Sequence, residues 1–372
     1  MHCDAIKHQN HGKKIIMYTV NAKTVKQAIR RFGTVIFEDS RITVQSNYDS
    51  SHNVSMKAGS GEPQILCKFS LEQAVKMFND SDTLTIKHGA VENGLGVMAT
   101  VEMVDRPERR IIQVDNTACT ARIEFKEAKT LVNNLLSHSG NNDVRYYLNG
   151  ALFQLPAGAA LMNIVATDGH RLYKTHLSGC NTGPTVDDSQ DINFIVPRLA
   201  LEQIKRSMVS NKSEWVSIAL CQSGLIGKAL FQDGSTVSFK AVDGRFPDYA
   251  RVIPADKERE ARVTMDKKAL VNTLSNVVKA MKGDKYPAIA ITVNGAVKFE
   301  KADKIEVSIP YIERENGEEE YQIGLNAQYL LDSVKAWTTD RITLRFAESK
   351  THWNSVLLNM GPDTAVIMPV RL

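Results

Sequence analysis

Asp143, Asp168, His170 and Asp243 are the residues whose types could together perform metal or acid–base chemistry. Carboxylates and imidazole both ligate divalent metals and carry protons, so a two-metal nuclease is the enzymatic reading they allow. Their neighbours oppose it. Asp168 and Asp243 precede Gly169 and Gly244, and aspartate in an Asp-Gly turn ordinarily accepts hydrogen bonds from its own backbone. His170 then reads as a packed or pocket-rim histidine. Gly59-Ser60-Gly61 lacks the later glycines and lysine of a nucleotide-phosphate loop and reads as a flexible turn. The five cysteines (Cys3, Cys67, Cys119, Cys180, Cys221) are odd in number and widely spaced, without a close pair. They fit neither a disulfide framework nor a zinc knuckle and read as reduced thiols. His2, His8 and His11 lack a periodic element to fix them around a metal, so Met1 to Lys14 reads as a polar leader without the apolar run of a secretory signal. No catalytic residue, metal or cofactor is expected, and the cytoplasm is the default compartment.

The elements that position these turns follow from length and pattern. At 372 residues the chain has room for two or three domains. Hydrophobic residues at 43% and charged residues at 24% are ordinary for a globular protein, and no apolar stretch approaches the roughly 18 residues of a membrane span. A net charge of +4 is too weak to imply nucleic-acid binding alone. An internal repeat decides the domain number. Phe69-Ser70-Leu71-Glu72-Gln73 reappears as Leu199-Ala200-Leu201-Glu202-Gln203 and, more loosely, as Leu325-Asn326-Ala327-Gln328-Tyr329.

Each copy is preceded by a strand-like run (Ile65 to Phe69, Phe194 to Pro197, Tyr321 to Leu325). Each is followed by a short amphipathic helix and a further strand (Leu84 to Lys87, Trp215 to Leu220, Ile342 to Phe346). A second helix starts each domain, with Asn21, Lys126 and Asp266 at equivalent positions where Asn and Asp cap free amides. Period-two segments lie between, among them Ile42 to Ser46, Ala288 to Val293 before Asn294-Gly295, and Gly227 to Phe231 before Asp233-Gly234. Glu313, Glu315 and Glu318 to Glu320, beside Gly317, read as a solvated hairpin end. Three α+β domains follow, each with two helices covering one face of antiparallel sheet.

Basic residues recur on the helices: Lys23, Lys26 and Arg30; Lys126 and Lys129; Lys268, Lys279 and Lys282. Lys76, Arg198, Lys205, Arg206 and Lys335 join them from the second helices. A lone lysine is ordinarily a solvated surface group. Repeated at matching places in three domains, such residues could meet the regular phosphates of a duplex without reading bases.

Four strings carry a family resemblance: Asn142-Asp143-Val144-Arg145-Tyr146-Tyr147-Leu148-Asn149-Gly150; Val165-Ala166-Thr167-Asp168-Gly169-His170-Arg171-Leu172; Val242-Asp243-Gly244-Arg245-Phe246-Pro247-Asp248-Tyr249; and Val366-Ile367-Met368-Pro369-Val370-Arg371-Leu372. In these the chain resembles the bacterial beta sliding clamp, the processivity subunit of the replicative DNA polymerase. The resemblance implies a DNA clamp fold of three similar clamp domains, assembling head to tail as a ring-shaped homodimer around double-stranded DNA. The implied partners are the replicative DNA polymerase, an ATP-driven clamp loader complex and other clamp-motif proteins, with no membrane. The implied division is an extension over 1–16 and clamp domains over 17–121, 122–257 and 258–372.

Carried over by residue, the resemblance implies a peptide-binding pocket of Leu148, Thr167, Gly169, His170, Arg171, Leu172, Pro247, Arg251, Val252, Val366, Met368, Pro369, Val370, Arg371 and Leu372. It implies DNA-facing positions at Asn142, Tyr146, Tyr147 and Arg198, to which the recurring basic helix residues add Lys23, Lys26, Lys205 and Lys268. The dimer interface is expected around Val97 and Val101 at one edge and Val278 and Met281 at the other. The apolar pocket members suit a peptide with aliphatic and aromatic anchors, and Met368 adds tolerance of shape. One departure is that the interval between helices is shortest in domain one (Val20 to Phe69). The family's basic, proline-bearing loop also has no counterpart between Phe32 and Ile36. A mobile-element or phage version of the clamp fits such divergence. The competing reading is a repeated scaffold that binds protein without encircling DNA.

Overall fold

The computed structural model describes residues 17–29, 34–38, 41–45, 50–55, 59–60, 64–104, 119–179, 181–182, 190–221, 225–254, 261–284, 287–301, 305–315, 320–335, 337, 339–346 and 355–372. The histidine-bearing leader, Cys3, Cys180, Arg30, Gly61 and Gly317 to Glu319 lie outside the described residues.

One element order occurs three times. Domain one runs β1 (Met17–Asn21), α1 (Ala22–Ala28), β2 (Thr34–Glu38), β3 (Arg41–Gln45), β4 (Ser50–Ser55), β5 (Gly59–Ser60), β6 (Gln64–Leu66), α2 (Lys68–Val75), β7 (Thr83–Lys87), β8 (Ala90–Asn93) and β9 (Met98–Thr100). Domain two runs β10 (Cys119–Glu124), α3 (Phe125–His138), β11 (Gly150–Leu155), β12 (Leu161–Thr167), β13 (Arg171–Ser178), β14 (Asn181–Thr182), β15 (Ile192–Pro197), α4 (Arg198–Asn211), β16 (Trp215–Cys221), β17 (Ile226–Phe231) and β18 (Thr236–Lys240). Domain three runs β19 (Ala261–Asp266), α5 (Lys267–Ala280), β20 (Ala288–Asn294), β21 (Ala296–Lys301), β22 (Ile305–Ile309), β23 (Glu313–Glu315), β24 (Tyr321–Asn326), α6 (Ala327–Lys335), β25 (Arg341–Phe346), β26 (Val356–Met360) and β27 (Asp363–Ile367). This is the expected three-domain clamp fold, with two helices against antiparallel sheet in every domain. Part of the short interval in domain one lies in its first helix, since α1 has 7 residues where α3 and α5 each have 14.

Local chemistry explains the boundaries. Asn21 and Asp266 cap α1 and α5, accepting from the amides of Lys23 at 3.0 Å and Ala269 at 2.7 Å. The N-cap of α3 is Glu124, so Lys126 is not the equivalent of those two residues, as the sequence pattern had it. The strand expected over Ile65 to Phe69 ends at Leu66. Cys67 caps the helix that follows, which places Phe69 on α2. Leu270, Leu274 and Val277 recur at helical spacing on α5 and are buried together against the sheet residues Phe299 and Ile342. Domain one closes its own core around Tyr18, Val25, Phe37, Leu71 and Leu84.

The contacts group domain one with Asp233–Val237 of domain two in one compact unit and join the rest of domain two with domain three in a second. In that second unit one nine-stranded sheet runs β15-β11-β12-β13-β27-β26-β25-β19-β23. Its junction is the antiparallel pair of β13 with β27, in register Arg171 to Ile367 and Leu172 to Val366. Domain three's other sheet is β22-β21-β20-β24, and domain one's is β5-β1-β7-β8-β9. Among the described residues, β22 and β9 each end their sheet.

Candidate protein-binding and DNA-facing sites

The turn between β12 and β13 is built from its own side chains. Asp168 Oδ1 accepts from the amides of His170 at 2.9 Å and Arg171 at 3.0 Å. The Thr167 hydroxyl donates to the Arg171 carbonyl at 2.7 Å and accepts from the Gly169 amide at 3.1 Å. Gly169 sits at φ +87°, a left-handed conformation that favours glycine, and the Arg145 guanidinium packs against it, 2.6 Å from where a Cβ would lie. Asp143 receives both the amide and the guanidinium of Arg145, the latter through two nitrogens at 3.0 and 2.7 Å. Those hydrogen bonds pull the Asp143 carboxyl down to about 2. Two of the three candidate carboxylates, Asp143 and Asp168, are thus committed to neighbouring donors. Among the described residues no three His, Cys, Asp or Glu side chains converge as metal ligands do.

The β13–β27 pairing brings distant stretches together around a cavity of about 240 Å³. Tyr147, Leu148, Thr167, Gly169, Arg171 and Leu172 line it from domain two. Pro247, Asp248, Tyr249 and Val252 line it from the segment after β18, and Val366 and Met368 from the C-terminal strand and its continuation. Beneath lies a small core of Leu152, Val165, Leu172, Ile195, Leu357 and Val366. The 242–252 segment is held by the Val242 amide on the Ile195 carbonyl at 2.9 Å and by Tyr249 Oη donating to Gln154 at 2.7 Å. The Met368 amide donates to the His170 carbonyl at 2.9 Å, which ties the C-terminal run to the turn.

Six residues of the expected pocket do not line this cavity. His170 stacks on Tyr329 instead, at 6.3 Å between ring centres. Arg251 is exposed and paired with Asp248 at 2.8 Å. Pro369, Val370, Arg371 and Leu372 continue past the cavity. The Val370 amide donates to the Gly324 carbonyl at 2.9 Å, and a Cβ on Gly324 would meet the Val370 carbonyl at 2.3 Å, so the terminus lies directly on β24. Sequence reasoning missed Arg145, Asp248 and Tyr249 as lining residues, although each lies within or beside a quoted string. Tyr147 belongs with them. Expected on the DNA-facing side, it is half-buried and packs against the cavity's floor.

The other expected DNA-facing residues divide by their engagement. Lys23, Lys205 and Lys268 are exposed, as are Asn142, in a left-handed turn at φ +57°, and Tyr146. Lys26 instead donates to the Phe78 carbonyl at 2.7 Å and pairs with Asp80 at 2.8 Å. Arg198 donates to the Leu136 carbonyl at 2.6 Å and to Ser139, closing the C-terminal end of α3, where free carbonyls attract a cation. Both cations are therefore already engaged within the protomer. The interface expectation also needs correction, since Val101 at 2% and Met281 at 4% exposure are packed inside their own domains' cores. Val97 is exposed, and Val278 is half-buried against the domain-three core.

Behind the cavity, α3 meets α6 through a buried histidine. His138 Nδ1 lies 2.8 Å from the Asn134 carbonyl, and its Nε2 lies 2.9 Å from the Ser333 hydroxyl oxygen. Burial, then the nearby Arg171 charge, lowers its pKa from 6.5 to about 4. The unfolded chain therefore takes up this proton first. The contribution to stability is full above pH 6.5 and falls away as the pH drops towards 4, by about 3 kcal/mol in all. Urea midpoints measured over that window should decline less in His138→Gln than in the parent chain; parallel declines would remove His138 as the cause.

Comparison with known proteins agrees with this architecture. A family model of the DNA polymerase III beta subunit central domain matches residues 122–248, and one of the C-terminal domain matches 250–371. The chain is 29% identical over 264 residues to the beta sliding clamp of Pseudomonas putida, covering 68% of this chain and 66% of that relative's length. To the beta sliding clamp of Vibrio cholerae it is 26% identical over 344 residues, 90% of this chain and 85% of that one. Among solved structures it is similar to the DNA polymerase sliding clamp of Pseudomonas aeruginosa, with a TM-score of 0.76 at 20% identity over 96% of this chain and 100% of the other. It is similar also to the DNA polymerase III beta subunit of Thermotoga maritima, with a TM-score of 0.77 at 16% identity over 96% and 100%. With both family models matched in order over the chain that builds the shared sheet and its cavity, the protein belongs to the bacterial beta sliding clamp family, the beta subunits of DNA polymerase III.

Proposed function

We propose that this protein is a non-enzymatic sliding clamp, a homodimeric ring that encircles duplex DNA and confers processivity on a replicative polymerase. The carrying observation is the repeat itself. Where domain two meets domain three, β13 pairs with β27. Their counterparts by element order are β22 in domain three and β9 in domain one, and each ends its sheet among the described residues. A second copy supplies the missing partner for both edges, and a two-fold arrangement repeats the contact and closes the ring. The interface then centres on Met98 in β9 and Val307 in β22, both exposed, rather than on Val101 and Met281. Domains over 17–121, 122–257 and 258–372 fit this plan.

The cavity at the β13–β27 junction receives the clamp-binding peptides of polymerase, clamp loader and other partners in the cytoplasm. Its apolar walls with a few fixed polar groups suit aliphatic and aromatic anchors. Related structures include the Helicobacter pylori beta clamp bound to a DNA ligase peptide and the Pseudomonas aeruginosa clamp bound to griselimycin.

Encirclement makes DNA binding topological. Protein loaded on a nicked circle should stay bound and should leave when the circle is linearised; equal retention on both would sink the ring reading. Lys205→Glu with Lys268→Glu should weaken retention alike on all sequences and flatten its salt dependence. Arg198 is unsuitable for this test because it closes α3.

A further inference from the structure

Arg171 is anchored from both sides of the domain junction. Its Nε lies 3.1 Å from Asp168 on its own turn, and its Nη1 lies 2.8 Å from Asp332 on α6 of domain three. The guanidinium carbon sits 4.2 Å above the centre of the Tyr329 ring, one turn earlier on the same helix. Asp332 is itself oriented, since Gln328 donates to its other oxygen at 2.6 Å. The Arg171 side chain is only 10% exposed, yet it forms part of the cavity wall. Asp332 and Tyr329 do not line that cavity.

A guanidinium is a planar fork that two carboxylates and an aromatic face fix in one orientation. With Asp168 alone it could swing about its remaining bonds into the apolar space it borders. We propose that Asp332 is a positioning residue for peptide binding. From domain three it locks the Arg171 wall of the cavity, assisted by the Tyr329 ring, and so couples occupancy of the cavity to the junction of domains two and three. This rests on the cavity being the peptide site.

The test is a double-mutant cycle on the full-length protein, read by fluorescence anisotropy with a labelled peptide carrying one leucine and one phenylalanine anchor. Asp332→Asn should weaken binding about fivefold, and Asp332→Glu, which restores the carboxylate, should recover part of the loss. In an Arg171→Gln background, Asp332→Asn should have no further effect, because it acts through Arg171. Tyr329→Phe should bind like the parent and Tyr329→Ala should not. Unchanged affinity in Asp332→Asn, or equal losses in both backgrounds, overturns the proposal, since general loosening of the junction would act in both. A Leu172→Ala control separates the two readings. Weakened binding there with unchanged binding in Asp332→Asn defeats the positioning role alone, whereas undiminished binding in Leu172→Ala defeats the cavity reading and this proposal with it.

Discussion

Deleting Met368–Leu372 is expected to reduce affinity for a polymerase-derived clamp peptide by at least about thirtyfold while leaving the dimer intact. The deletion spares the strands, because β27 ends at Ile367 and its register with β13 and β26 stops there. Of the five residues only Met368 lines the cavity, and a central apolar anchor contributes about 2 kcal/mol, which sets that thirtyfold scale. The other four act indirectly. Through the Val370 amide on Gly324 they fix the chain that carries Met368, and without them that segment pays an ordering cost on binding. Met368→Ala should therefore reproduce most of the loss, and Arg371→Ala little of it. Calorimetry with the peptide beside a native mass measurement checks both halves; undiminished binding by an intact truncated dimer would exclude this cavity as the site.

The second large effect concerns ring closure. Val307→Glu in β22 or Met98→Glu in β9 should convert the dimer to monomers and abolish retention on nicked circular DNA. Both side chains are exposed in the protomer, so the variants should fold. A carboxylate left unpaired in the closed interface costs about 3 kcal/mol or more, which is roughly a hundredfold in the dissociation constant. Met281→Glu makes the contrasting case. Its side chain belongs to the core beside Leu274, Val277 and Trp337, so the charge should unfold domain three rather than report on assembly. Sedimentation and thermal unfolding of the three variants distinguish these outcomes. A Val307→Glu chain that stays dimeric would place the interface elsewhere.

The sequence by itself determined the repeat, the helix starts at Asn21 and Asp266, and the hairpin turns at Gly234 and Gly295. These rest on local rules, namely capping, turn chemistry and hydrophobic period, that act over a few residues. It also marked Thr167 to Leu172 and Pro247 to Val252 as belonging together, through family likeness rather than through any local signal. Which members of those stretches face the cavity was decided only by the tertiary structure. Strand pairing turns Leu172 inward opposite Val366, while the terminus passes over Gly324 and carries Val370 and Leu372 away. Burial decided the rest. Val101 and Met281 look like surface apolar residues until their own cores close over them, and Lys26 and Arg198 look like free surface cations until carbonyl groups from distant segments engage them. A side chain's type is written locally, but whether it is free to bind depends on partners that only the folded chain brings within reach.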